Sequence, residues 1–125
     1  MLADLLKTYL ASTFAYYLKA HMFHWNVEGP NFNDYHAFWS GIYEDLFDQT
    51  DTLAEYIRQE GEYAPGALSV YSTESVIKDE DGFPSAQEMF SKFLTDNQTI
   101  ISLYEDLYHK AESVHAHQIS NYCAD

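Results

Sequence analysis

Four side chains in the first half of the chain could share a metal ion. His24 and His36 lie twelve positions apart, Asp51 follows His36 by fifteen, and Glu55 comes four positions later. On a helix the i,i+4 spacing puts both carboxylates on one face, about 5–6 Å apart at Cβ. Two imidazoles and two carboxylates form a ligand set for a borderline divalent ion such as iron or zinc. Taken singly, each has a plainer reading. A histidine at a helix end is more often a cap or a satisfied core group, and an isolated acidic pair is more often a solvated face. The combination is what points to metal.

The elements that must position these groups are helical. Gly29-Pro30 breaks the pattern between the histidines, so His24 sits near the end of one helix and His36 near the start of the next. Residues 2–27 carry a stripe of Leu2, Leu6, Tyr9, Tyr16, Ala20 and His24 at i, i+3, i+4 spacing, with Asp4, Lys7, Ser12 and Lys19 outside it. Residues 32–60 form the second helix, with Asn31 as N-cap and Asp34 in the first turn. Its faces sort at about 100° per residue. Tyr35, Trp39, Ile42, Leu46, Leu53 and Ile57 make one apolar stripe, and Asp34, Asp45, Asp48 and Gln59 lie on the wet side. His36, Ser40, Tyr43, Phe47, Asp51 and Glu55 make another stripe, roughly 100° from the first. A bundle helix needs one buried face. A second implies a partner, most simply an identical subunit across a two-fold axis, paired through this helix.

Residues 61–84 read as a long connection with one short helix near 67–73, suited to a crossover that spans a bundle. Ser85-x-x-Glu88 is a capping box that opens the third long helix, whose stripe includes Met89, Phe93, Leu94, Ile100, Leu107 and Ala111. A fourth helix starts near His115 and stops at Asp125.

These residues carry a family resemblance. His24-Trp25-Asn26-Val27, Gly29-Pro30-x-Phe32, His36 and Asp51-x-x-Ala54-Glu55 resemble the signature of the Dps proteins, the miniature ferritins of starved bacteria. The likeness runs from about Leu2 to Gly61 and continues weakly to the C-terminus. It implies an all-α, ferritin-like four-helix bundle, one domain over residues 1–125, with the long crossover between the second and third helices. It also implies a hollow homo-dodecamer that oxidises Fe(II), preferably with hydrogen peroxide, at a site shared between two subunits. Such a ferroxidase stores ferric iron and protects against oxidative stress. His24 and His36 of one subunit would face Asp51 and Glu55 of the other, with Trp25 beside the site to intercept oxidising equivalents. His21 is expected to pack beside these ligands.

The chain departs from the family pattern in three places. Family members carry an Asp or Glu one turn after the second histidine, and here that position is Ser40. A hydroxyl is a weak ligand, so the second metal position and the ferroxidase rate should suffer, unless Glu44 substitutes. No Lys-rich tail precedes the first helix. The fourth helix is shorter than in the family, as in a chain truncated at its C-terminus. A non-catalytic ferritin-like shell with a degraded metal site is therefore the alternative reading.

Composition narrows the classes further. Six Lys+Arg against twenty Asp+Glu give a net charge of −14, which disfavours nucleic acid and anionic membrane and suits cation attraction. The single cysteine, Cys123, excludes an intrachain disulfide and fits a reducing cytoplasm. The N-terminal stretch does not read as a signal peptide, and no segment has the roughly 18 apolar residues of a membrane span. Glu112-x-x-His115 has a di-iron spacing but lacks the second copy such a bundle needs, and His115-x-His117, which could bind metal adventitiously, reads more plainly as exposed polar residues.

Overall fold

A computed structural model describes residues 1–124. The described residues form five helices: α1 (Leu2–Asn26), α2 (Phe32–Gln59), α3 (Leu68–Glu74), α4 (Ala86–Ser113) and α5 (His117–Ala124). Three are long, and α3 lies in the connection between the second and third of them. The expected end of the last helix at Asp125 lies outside the described residues. None of the helices among them is long and apolar enough to cross a membrane.

Local chemistry sets the breaks. Gly29 takes φ 117°, which only glycine adopts without strain, and Pro30 follows, so α1 cannot run on into α2. At the end of α2, Gly61 takes φ 82° and the Glu62 amide donates back to the Ile57 carbonyl at 3.3 Å, which closes the helix. The α4 start is the expected capping box. The Glu88 amide donates to Ser85 Oγ at 3.2 Å, and the Ser85 amide donates to Glu88 Oε1 at 3.1 Å. Asn31 does stand at the α2 N-cap, but its side chain makes no capping bond.

Helix α1 is the hub, packed against α2, α3 and α4. Ser12 and Lys19, expected on its wet side, are therefore buried. Each keeps a polar partner, as buried polar groups must. The Val76 amide donates to Ser12 Oγ at 3.0 Å, which pins the crossover to α1. Lys19 Nζ pairs with Asp96 on α4 at 2.7 Å. The core splits into two clusters along the bundle. One joins Leu6, Leu10, Leu53, Ile57, Leu107 and Ile119. The other joins Tyr16, Phe23, Trp39, Leu46, Met89 and Ile77, the last supplied by the crossover. Leu94, read as part of the α4 stripe, is instead 63% exposed.

Candidate functional site

His24 ends α1 and His36 opens α2, and the turn at Gly29-Pro30 folds them against each other. Their rings stack with centroids 3.6 Å apart and planes 21° apart. The bonding is reciprocal. His24 Nδ1 lies 2.7 Å from the His36 carbonyl oxygen, and His36 Nδ1 lies 2.7 Å from the His24 carbonyl oxygen. A carbonyl can only accept, so each Nδ1 carries the hydrogen and donates. With Nδ1 tied to a carbonyl, Nε2 is the ring nitrogen left to face a metal.

Aromatic rings wall this pair. Phe32 stacks on His36 at 4.9 Å, and Tyr43 lies 5.0 Å from His24. His21 lies flat on Tyr43, with centroids 3.8 Å apart and planes 6° apart. The Trp25 ring lies 4.2 Å from His21, tilted by 35°, and remains 57% exposed. Partial burial, and then the neighbouring His24, lower the His21 pKa from its ordinary value. Tyr17, one turn earlier on α1, places its hydroxyl 2.9 Å from His21 Nδ1. Sequence spacing placed His21 as a packing neighbour and placed Tyr43 on the histidine stripe, but it missed the Tyr17 contact. The i,i+4 interval between Tyr17 and His21 was the available signal.

Asp51 and Glu55 do not join the histidines within the chain. Both are exposed on α2, and fifteen residues of helix separate His36 from Asp51, about 22 Å at the helical rise. No three His, Cys, Asp or Glu side chains among the described residues lie close enough within one chain to hold a metal ion. Beside Asp51 lies a hollow of about 600 Å³, bordered by Leu10, Phe14, Phe47, Thr50 and Tyr71. Phe47 stands 54% exposed at its edge. Ser40 donates a long 3.4 Å bond to Glu44 Oε1 on the exposed side of α2. His115 and His117 lie 6.0 Å apart and are exposed, while Glu112 accepts from the Tyr108 hydroxyl at 3.2 Å, so neither of the weaker motifs gathers a ligand set.

The histidine pair at the α1–α2 turn and the exposed carboxylates farther along α2 lie apart, on a bundle in which a crossover joins the second and third long helices. A ferritin-like domain model matches residues 3–125. The DNA protection during starvation protein of Brevibacillus brevis is 36% identical over 96 residues, covering 77% of this chain and 64% of that protein. The chain thus spans less than two thirds of that relative's length. The protein of the same name from Helicobacter pylori is 32% identical over 111 residues, covering 87% of this chain and 76% of its own. Among solved structures, the crystal structure of a Dps protein from Bacillus brevis superposes with a TM-score of 0.94 at 29% identity, covering 98% of this chain and 83% of that one. The chain belongs to the ferritin-like family and, within it, to the Dps proteins.

Proposed function

We propose that this single-domain protein oxidises Fe(II), with hydrogen peroxide as the preferred oxidant, and stores the ferric product in a hollow homo-oligomer in the cytoplasm, so protecting against oxidative stress. The observation that carries the reading is the division of the donors. An imidazole pair with both Nδ1 atoms tied to carbonyls ends one stretch of surface. An exposed carboxylate pair stands about 22 Å away along the same helix stripe. A two-fold axis across the middle of α2 brings the two halves together twice, so that His24 and His36 meet Asp51 and Glu55 of the partner subunit.

The chemistry then follows from the donors. The carboxylates are hard anionic ligands that hold Fe(II) and favour Fe(III) more strongly, which lowers the barrier to losing an electron. The imidazoles complete the sphere without closing it, which leaves room for the oxidant. Two Fe(II) and two protons reduce one peroxide to two waters. The net charge of −14 draws cations in and opposes binding of DNA. Iron is substrate here, and the carboxylates anchor it.

Ser40 favours a second reading, a shell that binds iron without turning it over. Anaerobic Fe(II) titration by calorimetry, followed by peroxide addition in a stopped-flow spectrometer, separates the two. Binding with fast ferric absorbance supports the ferroxidase. Binding without it supports the shell, and no binding refutes both.

A further inference from the structure

We infer that the channel between α2 and α4 is a docking site for a partner's amphipathic helix, about three turns long, with an apolar face and basic flanks. One end of the channel shows what fits it. There α5 lies between the two walls. Tyr122 of α5 packs edge-on against Tyr56 of α2, with centroids 5.5 Å apart, and its carbonyl accepts from the Tyr104 hydroxyl of α4 at 3.1 Å. Ile119 and Cys123 are buried against Leu53 and Leu107. The channel is therefore one helix wide. Past α5 it continues as a hollow of about 360 Å³, floored by Tyr9 and Tyr16 of α1. It closes where Phe90 meets Phe38 and Trp39, with centroids 5.4 and 5.3 Å away. From Gln49 to Phe38 the open stretch spans eleven positions of α2, about 16 Å at the helical rise.

The walls state the occupant's chemistry. Leu94 and Ile101 of α4 and Phe38 of α2 stand exposed along the channel, at spacings that form ridges for a third helix to interlock with. A helix satisfies its own backbone, so it can cover these side chains without burying unpaired amides. Charge sets the flanks. Asp45 on one wall and Glu105 on the other are exposed at the channel's rim. Gln49 donates to Asp45 Oδ2 at 3.1 Å and holds that carboxylate in place. Lys92, the one cation on either wall over this stretch, is bound to Glu80 of the crossover instead. Lys or Arg on both flanks of the incoming apolar face is the complement. The channel also leaves the histidine stripe free. Phe38, Ile42, Asp45 and Gln49 lie roughly 170° around α2 from His36, Tyr43 and Phe47, so docking here does not compete with pairing of subunits.

Fluorescence anisotropy tests this with the full chain and a labelled synthetic peptide of about three to four turns, Leu at every third or fourth position and Lys on its flanks. A scrambled peptide of the same composition controls for bulk charge attraction. The patterned peptide should bind saturably, gain helix by circular dichroism on mixing, and bind about tenfold more tightly than the scramble. Leu94→Glu and Ile101→Glu change exposed side chains and so spare the fold; each should weaken binding about tenfold. Leu68→Glu, exposed on α3 away from the channel, should leave binding unchanged. Equal binding of the two peptides overturns the inference and reduces it to charge attraction. Binding unaffected by Leu94→Glu and Ile101→Glu places the peptide elsewhere and overturns it too. Absence of peptide binding overturns it as well, and if sedimentation then shows self-association falling in Ile101→Glu, a second copy covers the channel instead. None of these side chains is a proposed iron ligand, so each outcome is independent of the ferroxidase reading.

Discussion

Phe47→Asp should split the assembly while leaving the subunit folded. Phe47 lies in the middle of the histidine stripe, 54% exposed in the isolated subunit, beside the hollow that contains Asp51. Full burial of such a side chain contributes about 1.5–3 kcal/mol, so the half still open contributes about 1 kcal/mol per copy on pairing. A two-fold interface uses the position twice, giving about 2 kcal/mol lost. The new carboxylate must also be desolvated near Asp48 and Asp51, which adds a comparable penalty of about 2 kcal/mol. At about 1.4 kcal/mol per tenfold, the sum weakens self-association by about a thousandfold. Sedimentation velocity across a micromolar dilution series measures this, with circular dichroism confirming an unchanged helix content. Trp39→Leu is the contrast. Trp39 is fully buried in the subunit, so that change should lower the melting temperature without altering assembly. An unchanged dissociation constant in Phe47→Asp would refute the pairing of subunits through α2.

Ser40→Asp places a hard oxygen one turn from His36. It should raise the Fe(II) stoichiometry per site from near one toward two and speed peroxide-dependent oxidation, whereas Glu55→Gln should abolish both gains; calorimetry and stopped-flow absorbance decide. Ser85→Ala removes the α4 cap and should cost about 1 kcal/mol in thermal or urea unfolding. The Ser85 amide, and then its hydroxyl, hold the Glu88 carboxyl below its ordinary 4.5, so the carboxylate half of the box is fully in place above that value and is lost as pH falls through the lowered one, while the bond from the Glu88 amide to the Ser85 hydroxyl does not titrate. The stability gap between parent and Ser85→Ala should therefore narrow in melts run below pH 4.5, and a gap that widens would reverse the sign. With a net charge of −14, the protein should not retard plasmid DNA near pH 7.5 at low salt in a gel-shift assay.

Boundaries and breaks were legible in the sequence because short-range chemistry dictates them. The Ser85-x-x-Glu88 box formed as read, and Gly29-Pro30 did fold His36 back onto His24. What failed were inferences from periodicity alone. Ser12 and Lys19 looked solvated because a stripe analysis assumes one buried face, while α1 is enclosed by α2, α4 and the crossover. Their partners, the Val76 amide and Asp96, lie 64 and 77 residues away, beyond any local pattern. In the same way Leu94 fits the spacing of α4 yet stays open, since nothing described packs against that side. At the site, residue types and separations were readable. The paired Nδ1–carbonyl bonds and the stack of His21 on Tyr43 were not, because they depend on how two helices approach.

The proposed sharing of iron between two subunits has a thermodynamic consequence beyond geometry. If iron needs His24 and His36 together with Asp51 and Glu55 of the partner subunit, only the paired state presents the full site. A ligand that binds one state alone stabilises it by RT ln(1 + [L]/Kd), so iron at a hundredfold excess over its dissociation constant adds about 2.7 kcal/mol to pairing. Linkage is reciprocal: pairing must raise iron affinity by the same factor by which iron strengthens pairing. Phe47 is no ligand, yet in dilute solution Phe47→Asp should lower apparent iron affinity, and raising protein concentration should restore it. A metal site built within one subunit would show neither effect.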